Sequence, residues 1–387
     1  MMSRLGYPRI TKAPKGSFFL LGARGVGKST WAGSRFRGAH RIDLLDERRY
    51  QDLLADPGLF GDELRTLRRG SWVVVDEIQR IPGLLNEIHR SIEERALRFV
   101  LLGSSARKLK ASGTNLLAGR ALWKVMFPLV PEELGEDFDI GAVLRHGSIP
   151  LVWTAPDRGK TLESYVQLYL REEIKAEALV RNLPGFVRFL PIAALFHGQV
   201  VNVSGIARDA GTARTTVSGY LDILEDTLLA YRLPAFEARL RVRERKHPKL
   251  FWIDPGLVRA AKKQLGPVAA EEKGPLLEGW VLNLLRAYAE ERQLYEEIFY
   301  WAPTQSSGVE VDFLLRRGKE LLALEVKSAS RFSRSWLAGL RALGELESVV
   351  RRVIVYTGRE PLETEHGIEV WPLGLLLKHL QEGNLWP

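Results

Sequence analysis

A glycine-rich octapeptide near the start of the chain constrains the fold more strongly than any other feature. Residues 22–29 read Gly-Ala-Arg-Gly-Val-Gly-Lys-Ser, which satisfies the pattern G-x-x-x-x-G-K-[ST] at every fixed position. The apolar run FFLL precedes this segment and a helical pattern follows it. Glycines let backbone N–H groups curl around a phosphate, and the amino end of a helix favours negative charge. The sequence therefore predicts a phosphate-binding loop (P-loop) between a strand and a helix.

The polar side chains of this loop predict its ligands, ATP and Mg²⁺. We expect Lys28 to reach the β- and γ-phosphates of the nucleotide, and the hydroxyl of Ser29 to bind the metal ion. The residues expected to contact the nucleotide are Gly22, Arg24, Gly25, Val26, Gly27, Lys28, Ser29 and Thr30.

An apolar strand with two carboxylates at its end is the second part of the predicted site. Residues 72–77 read Trp-Val-Val-Val-Asp-Glu. We expect Asp76 to lie beside Mg²⁺ and Glu77 to act as the base that polarises the attacking water. A buried strand capped by acids is the structural alternative. The order and spacing of the two motifs favour a site that binds and hydrolyses ATP.

The order of several short motifs resembles a known family. The chain is similar to a widespread group of bacterial and archaeal AAA+ ATPases that end in a domain of unknown function. The matching segments are GARGVGKS, VVVDEIQ, LLGSS, LAGR, YLREEI, WIDPGL, LLEGWV, VEVDFLL and LEVK. Ser29 departs from the family, which more often has Thr at this position, but either hydroxyl can bind Mg²⁺.

The resemblance implies catalytic roles for two further residues. Ser104, with Ser105 as the second candidate, comes just after the apolar run at residues 99–102. In AAA+ proteins this strand lies between the strands of the two motifs, and its polar tip helps to place the water. Arg120 stands where AAA+ arginine fingers reach the γ-phosphate bound to a neighbouring subunit, which implies a homo-oligomer such as a hexameric ring. The alternatives are a helix N-cap for Ser104 and a surface cation for Arg120.

Patterning along the chain separates four regions. Residues 1–130 alternate short β-type runs with helical segments, which indicates a parallel α/β sheet. We expect a helical connector or lid at 131–190, a winged-helix-like domain at 191–262 and a second α/β domain at 263–387. The predicted fold class is α/β, with an AAA+ P-loop domain followed by a winged-helix domain and a restriction-endonuclease-like domain.

Residues 203–226 have the spacing of a helix-turn-helix. A short helix is predicted to begin at Val203, Gly211 lies in a tight turn, and a second helix is predicted from Arg214 to Asp226. Apolar strands on either side of the cation-dense residues 239–247 would form a hairpin wing. A module for protein contacts is the alternative. The residues expected to contact DNA are Arg214, Thr215, Thr216, Ser218, Arg241, Arg243, Arg245 and Lys246.

An acid–lysine pattern in the last region resembles the PD-(D/E)xK nuclease superfamily. Asp312 and the pair Glu325 and Lys327 fall on two strands of a predicted hairpin. Two carboxylates can hold Mg²⁺ against a scissile phosphate, Lys327 can position or activate the water, and Glu278 on the preceding helix can complete the metal shell. Val311 replaces the leading proline of the superfamily. A non-cutting fold that binds DNA and a structural Glu–Lys pair are the alternatives.

Composition bounds the partners and the compartment. The formal net charge of +9 favours a polyanionic partner, although a surface rich in Arg–Glu pairs, as in thermophiles, gives a similar composition. The chain has no cysteine, its first residues do not form a signal peptide, and no apolar run reaches membrane-spanning length. We therefore expect a cytoplasmic protein that binds no membrane.

Together these features predict an ATP-hydrolysing, DNA-binding AAA+ protein that remodels or processes DNA in repair, recombination or defence. Mg²⁺-dependent cleavage would accompany this activity if the C-terminal pattern is a working nuclease site. DNA is the expected partner, and the choice among linear, single-stranded and branched forms stays open. Two alternatives stay open, an ATP-dependent switch that does not cut DNA and a ring motor for branched DNA with an inactive C-terminal clamp.

Overall fold

The computed structural model of the chain divides into two units. It describes residues 6–105, 109, 117, 119–169, 183–237, 244–304, 309–346 and 348–387. The first unit consists of Met1–Leu129, Ile149–Leu151 and Asp226–Leu229, and the second of Val130–Ser148, Val152–Glu225 and Ala230–Pro387. The four-domain division predicted from the sequence is finer than these two units.

A five-stranded parallel sheet forms the centre of the first unit. Its order is β2-β3-β4-β1-β5, so β4 lies between the strands of the two sequence motifs, as the resemblance implied. β2 was absent from the predicted strands because Ile42 alone is buried in its sequence HRID, which leaves no apolar run. The strands are β1 (Ser17–Leu21), β2 (His40–Asp43), β3 (Trp72–Asp76), β4 (Arg98–Gly103) and β5 (Ala121–Val125).

Apolar side chains cover both faces of this sheet, which explains the continuous apolar runs of β1, β3 and β4. Phe19, Val73 and Leu101 belong to one buried cluster, while Phe18 packs edge-on against Trp31 on the other face. Since the strands are parallel, their carboxyl ends meet at one edge, where binding residues of such sheets gather. The helices are α1 (Lys28–Arg35), α2 (Glu47–Ala55), α3 (Gly58–Arg65) and α4 (Leu84–Arg95).

Short helices follow β5 along the chain, in agreement with the helical character predicted for residues 131–190. A π-helical turn at Tyr165–Tyr169 ends this stretch, and residues 170–182 lie outside the described part of the chain. The helices are α5 (Pro131–Leu134), α6 (Ile140–His146), α7 (Pro150–Trp153) and α8 (Arg158–Ser164).

Three helices and a small antiparallel sheet come next. The helices are α9 (Leu183–Leu195), α10 (Val203–Asp209) and α11 (Arg214–Asp226), and the strands are β6 (Gln199–Val200), β7 (Ala230–Leu233) and β8 (Lys249–Trp252). The sheet order is β6-β8-β7. Helices α10 and α11 begin at the predicted residues, and Gly211 between them has a φ of +60°. β7 and β8 pair as the predicted hairpin; residues 238–243 between them are outside the described part.

A six-stranded mixed sheet completes the second unit, in the order β13-β14-β12-β11-β10-β9. Its strands are β9 (Glu297–Trp301), β10 (Val311–Arg317), β11 (Glu320–Lys327), β12 (Val349–Tyr356), β13 (Leu362–Glu363) and β14 (Glu369–Pro372). The helices of this part are α12 (Pro255–Ala261), α13 (Ala270–Arg292), α14 (Ala338–Ala342) and α15 (Leu373–Glu382).

Helix α13 begins earlier than predicted. The amphipathic pattern of residues 275–293 predicts a start at Pro275, whereas the carboxylate of Glu272 accepts a hydrogen bond from the Ala269 N–H and caps a helix that begins at Ala270. Glu278 therefore lies in the third turn of α13 rather than near its start. Within the described residues, no helix is long and apolar enough to cross a membrane.

Candidate functional site

The P-loop joins β1 to α1 in a conformation that its glycines make accessible. Gly25 and Gly27 have φ angles of +79° and +94°, a region that side chains with a Cβ rarely adopt. A Cβ on Gly22 would lie 2.6 Å from the carbonyl oxygen of Met126. Each of the three motif glycines therefore has a local reason for its identity, independent of any ligand.

Lys28 lies inside the curl of this loop. Its side chain is buried, and Nζ donates to the carbonyl oxygens of Gly22 at 2.7 Å and Ala23 at 3.2 Å. The remaining residues predicted to contact the nucleotide differ in exposure: Val26 is buried, Arg24 is half-buried, and Ser29 and Thr30 are exposed. The structure thus places the predicted contact residues around one loop.

Asp76 and Ser29 lie together where β3 ends. Burial raises the pKa of the Asp76 carboxyl, while a hydrogen bond from Ser29 and the charge of Lys28 oppose that rise. A hydroxyl and a carboxylate side by side are oxygen ligands of the kind that Mg²⁺ prefers. These two residues therefore fit the predicted metal ion.

Glu77 is held by two neutral donors, one of which the sequence analysis missed. The hydroxyl of Ser104 donates to Glu77 Oε2 at 3.2 Å. The amide of Gln79 also donates to Glu77 Oε2 and lies 3.1 Å from Ser104 Oγ. Glu77 itself has a φ of +56°. Gln79 follows Glu77 by two residues, so its place beside the acid motif was the available signal.

Gln79 is enclosed by the sheet. Its side chain is 1% exposed, and its Oε1 has no hydrogen-bond partner among the described residues. A Cβ on Gly103 would lie 2.7 Å from that oxygen. Gly103 therefore provides the space that lets the amide of Gln79 approach both Glu77 and Ser104.

Two further contacts with the P-loop had no sequence signal. Arg9 donates to the carbonyl oxygens of Val26 at 2.5 Å and Phe127 at 2.6 Å. The N–H of Leu151 donates to the carbonyl oxygen of Gly25 at 3.2 Å. Both contacts join segments that are distant in sequence, and neither residue belongs to a recognisable motif.

Arg120 lies at the opposite end of the sheet from the P-loop. Ala121 pairs with Ser17 at the first residue of β1, whereas the P-loop follows the last residue of that strand. The guanidinium of Arg120 forms an ion pair with Glu93 of α4. In its own chain, Arg120 is therefore separated from the loop by the length of β1.

The residues predicted to contact DNA are only partly described. On α11, Arg214 and Thr215 are exposed, whereas Thr216 and Ser218 are half-buried. Arg245 is half-buried, and the exposed Lys246 donates to Glu237 at 3.2 Å. The described members lie at two places, in the first part of α11 and in the segment just before β8. Arg241 and Arg243 lie outside the described residues.

The acid–lysine pattern of the last region forms one cluster on β10 and β11. Phe313 pairs with Leu324 in this antiparallel hairpin, which places Asp312 beside Glu325. The N–H of Asp312 donates to Glu325 Oε2 at 3.2 Å, and Lys327 donates to Glu325 Oε1 at 2.5 Å. The N–H of Val326 donates to Asp312 Oδ2 at 2.8 Å.

Lys249 of β8 belongs to the same cluster and was missed by the sequence analysis. Its Nζ lies 3.2 Å from Glu278 Oε1, 3.3 Å from Glu310 Oε2 and 3.9 Å from Asp312 Oδ1. Burial by itself would lower the pKa of Lys249, but Glu278, Asp312 and Glu310 raise it above its ordinary value. The ammonium therefore stays charged. No sequence spacing connects β8 to β10, so only the fold reveals this residue.

The predicted metal role of Asp312 and Glu325 does not fit this arrangement. Protein donors already engage both oxygens of Glu325 and one oxygen of Asp312, and Lys249 faces the other. Burial raises the pKa of Asp312, Glu325 and Glu278. In the described part of the chain, no three His, Cys, Asp or Glu residues are grouped so that they could hold a metal ion.

Three family models match successive parts of the chain. Residues 15–135 match the model described as an AAA domain. Residues 138–267 and 273–376 match two models described as domains of unknown function, DUF8612 and DUF4143. The first match covers the whole five-stranded sheet, the P-loop, and Asp76 and Glu77.

The chain is also similar to curated proteins whose activity is unassigned. An uncharacterized protein of Mycobacterium tuberculosis is 29% identical over 321 residues, which cover 79% of this chain and 68% of the relative. An uncharacterized protein of Haemophilus influenzae is 23% identical over 286 residues, which cover 69% of this chain and 68% of the relative.

Two solved structures show more remote similarity. The ORC1 protein of Aeropyrum pernix in complex with DNA has a TM-score of 0.27 and 16% identity, over 65% of this chain and 87% of that one. The replication initiator DnaA bound to AMPPCP and single-stranded DNA has a TM-score of 0.27 and 16% identity, over 54% and 82%. TM-scores this low carry no argument about fold or activity. The family match and the P-loop geometry support an AAA+ ATPase domain at residues 15–135.

Proposed function

We propose that the chain hydrolyses ATP in its N-terminal domain and uses the turnover to act on DNA. One observation carries the ATPase part: Glu77 is fixed by neutral donors at the edge of the sheet that bears the P-loop and Asp76. A carboxylate held in this way can accept a proton, since none of these hydrogen bonds neutralises its charge. Ser104 is thus a positioning residue, as is Gln79.

The remaining residues of the site would bind the substrate. Lys28 would exchange the carbonyl oxygens of Gly22 and Ala23 for the β- and γ-phosphates of ATP, which are stronger acceptors for an ammonium. Ser29 and Asp76 would hold Mg²⁺, which would offset charge on the phosphates. Glu77 would then take the proton of the attacking water while Gln79 and Ser104 keep its carboxylate in place.

Arg120 supports an oligomeric enzyme. Because it lies at the far end of the sheet from its own P-loop, it would serve the γ-phosphate of a neighbouring subunit. A ring, such as a hexamer, repeats that contact with the same surfaces around a closed circle. Mixing Arg120→Ala chains with Lys28→Ala chains tests this; a shared site predicts restored turnover in mixtures, and no recovery in any mixture contradicts it.

The middle of the chain supports DNA as the partner. Three helices with a small sheet in the order β6-β8-β7 are the arrangement expected for a winged helix, and the exposed Arg214 and Thr215 lie at the start of its second motif helix. A side chain at that place can contact phosphates or base edges. The basic hairpin segment would add phosphate contacts as the wing.

The decisive experiment measures ATP turnover with and without linear, single-stranded and branched DNA, at low and high salt. We expect DNA to raise turnover, and the combined change Arg214→Ala and Lys246→Ala to weaken the effect. Arg65→Ala is the matched control, since this arginine is exposed in the first unit. Turnover that no DNA form alters would contradict DNA action and favour the ATP-dependent switch.

A further inference from the structure

We infer that the ammonium of Lys249 takes the place of a divalent metal ion in the C-terminal carboxylate cluster, so that this domain neither binds a catalytic metal nor cuts DNA. Three acids from different parts of the second unit converge on this one cation. Glu278 comes from α13, Asp312 from β10 and Glu310 from the segment just before β10. Their oxygens lie 3.2 to 3.9 Å from Lys249 Nζ.

Lys249 is a built-in part of the cluster rather than a surface side chain that visits it. Its side chain is 3% exposed, and Nζ also lies 5.3 Å from the ring centre of Tyr300 on β9. A buried ammonium is stable only where acceptors surround it, because an unpaired charge in the interior carries a large desolvation penalty. Withdrawing Lys249 would leave Asp312 and Glu278 without that counter-charge.

Three carboxylate oxygens that do not face Lys249 are engaged as well. Asp312 Oδ2 accepts the Val326 N–H, and the two oxygens of Glu325 accept from Asp312 N–H and Lys327. A metal ion would need several of these oxygens at about 2.0–2.6 Å, so it would have to displace these protein donors and the ammonium of Lys249.

This arrangement gives the cluster a structural role. Lys249 belongs to the three-stranded sheet, through β8, whereas Asp312 and Glu325 belong to the six-stranded sheet. The cluster therefore ties the helix-turn-helix part of the second unit to the C-terminal sheet through a buried ion pair. This ion pair holds the two sheets in one relative position. Any other position would leave a buried charge unpaired, which costs free energy.

The test measures the Mn²⁺-dependent shift in Tm without nucleotide, in a chain carrying Ser29→Ala so that the nucleotide site does not contribute. We expect no shift that depends on the cluster, and therefore the same response in that chain and after Asp312→Asn. A shift that Asp312→Asn removes would overturn the inference. Neither ATP turnover nor DNA binding enters this readout.

A second variant tests the replacement directly. Lys249→Met removes the ammonium but keeps much of the side-chain volume, and we expect it to create a Mn²⁺-dependent rise in Tm that Asp312→Asn abolishes. Lys319→Met, an exposed lysine on the β10–β11 turn, is the matched control and should gain nothing. A folded Lys249→Met chain without any metal response contradicts the inference; if that variant does not fold, the Asp312→Asn comparison decides alone.

Cleavage provides an independent readout. Supercoiled DNA incubated with the unmodified chain and Mg²⁺ or Mn²⁺ should stay intact. Nicking that is lost in Asp312→Asn and kept in Lys28→Ala would establish a metal-dependent nuclease and overturn the inference.

Discussion

The nucleotide site and the C-terminal carboxylate cluster both combine acids with a lysine at the end of apolar strands, but they pair these groups differently. In the nucleotide site, Lys28 donates to neutral backbone carbonyls, and Glu77 accepts from an amide and a hydroxyl. In the C-terminal cluster, Lys327 donates to Glu325 and Lys249 faces Glu278.

Under the proposed function, the same residue types would bind substrate in one place and stabilise the fold in the other. Neutral partners orient a charged side chain without cancelling its charge, so the charge stays available for phosphate, metal or water. Oppositely charged partners cancel each other, and a buried pair of this kind resists any change that removes one member. The contrast predicts that changes in the first site alter turnover, whereas changes in the second alter stability.

The largest expected effect concerns Glu77. Glu77→Gln keeps the shape of the side chain but removes the base, so we expect kcat for ATP hydrolysis to fall by about 10²–10⁴-fold. Nucleotide binding should persist, which fluorescence titration with an ATP analogue would show. Glu94→Gln, at an exposed position on α4, is the control. Turnover of Glu77→Gln within a few-fold of the control would contradict the proposed role of Glu77 as the base.

The matching change in the second unit is Lys249→Met. It leaves Glu278 and Asp312 without their buried counter-charge, so the free energy of unfolding should drop by about 3–5 kcal/mol. Urea denaturation measures this quantity. Adding Asp312→Asn should recover part of the loss, because one unpaired carboxylate disappears. A loss no greater than that of Lys319→Met would mean that the ion pair does not stabilise the unit.

A smaller effect is expected for Gln79, which donates to Glu77 in the nucleotide site. Gln79→Ala removes one hydrogen bond to Glu77, so we expect about a tenfold lower kcat, equivalent to roughly 1.4 kcal/mol. The KM for ATP should stay unchanged, because Gln79 donates to Glu77, the proposed base, and is not among the residues proposed to bind the phosphates. In a Glu77→Gln background the change should have no further effect. A rise in KM without a fall in kcat would indicate a role in binding instead.

The smallest expected effect concerns His197, which is buried in the second unit. It accepts a hydrogen bond from the Trp252 N–H at 3.1 Å and lies 3.1 Å from the Pro275 carbonyl oxygen. Burial lowers the pKa of His197 to about 3, so the folded state stays unprotonated while the unfolded state takes up a proton below about pH 6.5. Stability should therefore fall as the pH drops.

We expect this group to remove about 1 kcal/mol of unfolding free energy between pH 7 and pH 5.5. Urea denaturation at both pH values, compared with His197→Gln, isolates the contribution because the other titrating groups are shared. An equal pH dependence in both chains would contradict this prediction. It would show that His197 is already protonated in the folded state, or that it does not titrate between pH 5.5 and pH 7.

Much of the nucleotide site was predictable because its parts are local. The P-loop glycines, Lys28 and Ser29 lie within one strand–loop–helix segment, and Asp76 is the last residue of its strand. The hairpin that brings Asp312 beside Glu325 was predictable for the same reason, since a two-residue side-chain period and a tight turn fix that register. The helix-turn-helix bounds followed from the apolar spacing and from Gly211.

The start of α13 and the strand β2 were missed for opposite physical reasons. A proline at position 275 looks like a helix start, but Glu272 supplies a cap one turn earlier. β2 forms although its sequence is mostly polar, because its backbone pairs with β3 along four residues. In both cases a single side chain or a neighbouring strand decided the outcome.

Apart from β2 and the start of α13, the elements and motifs followed from local patterns in the sequence, because 3.6- and two-residue periods, glycines and caps act over a few residues. Tertiary structure alone decided the partners of the charged groups: Gln79, in the turn after β3, reaches Ser104 at the end of β4, and Lys249 reaches Glu278 and Asp312 from a different sheet. The energy of an ion pair depends on distance and burial, and no spacing in the sequence encodes either. The octapeptide was sufficient to predict the P-loop. The resemblance of the C-terminal pattern to a metal site was not sufficient to predict that Lys249 lies within it.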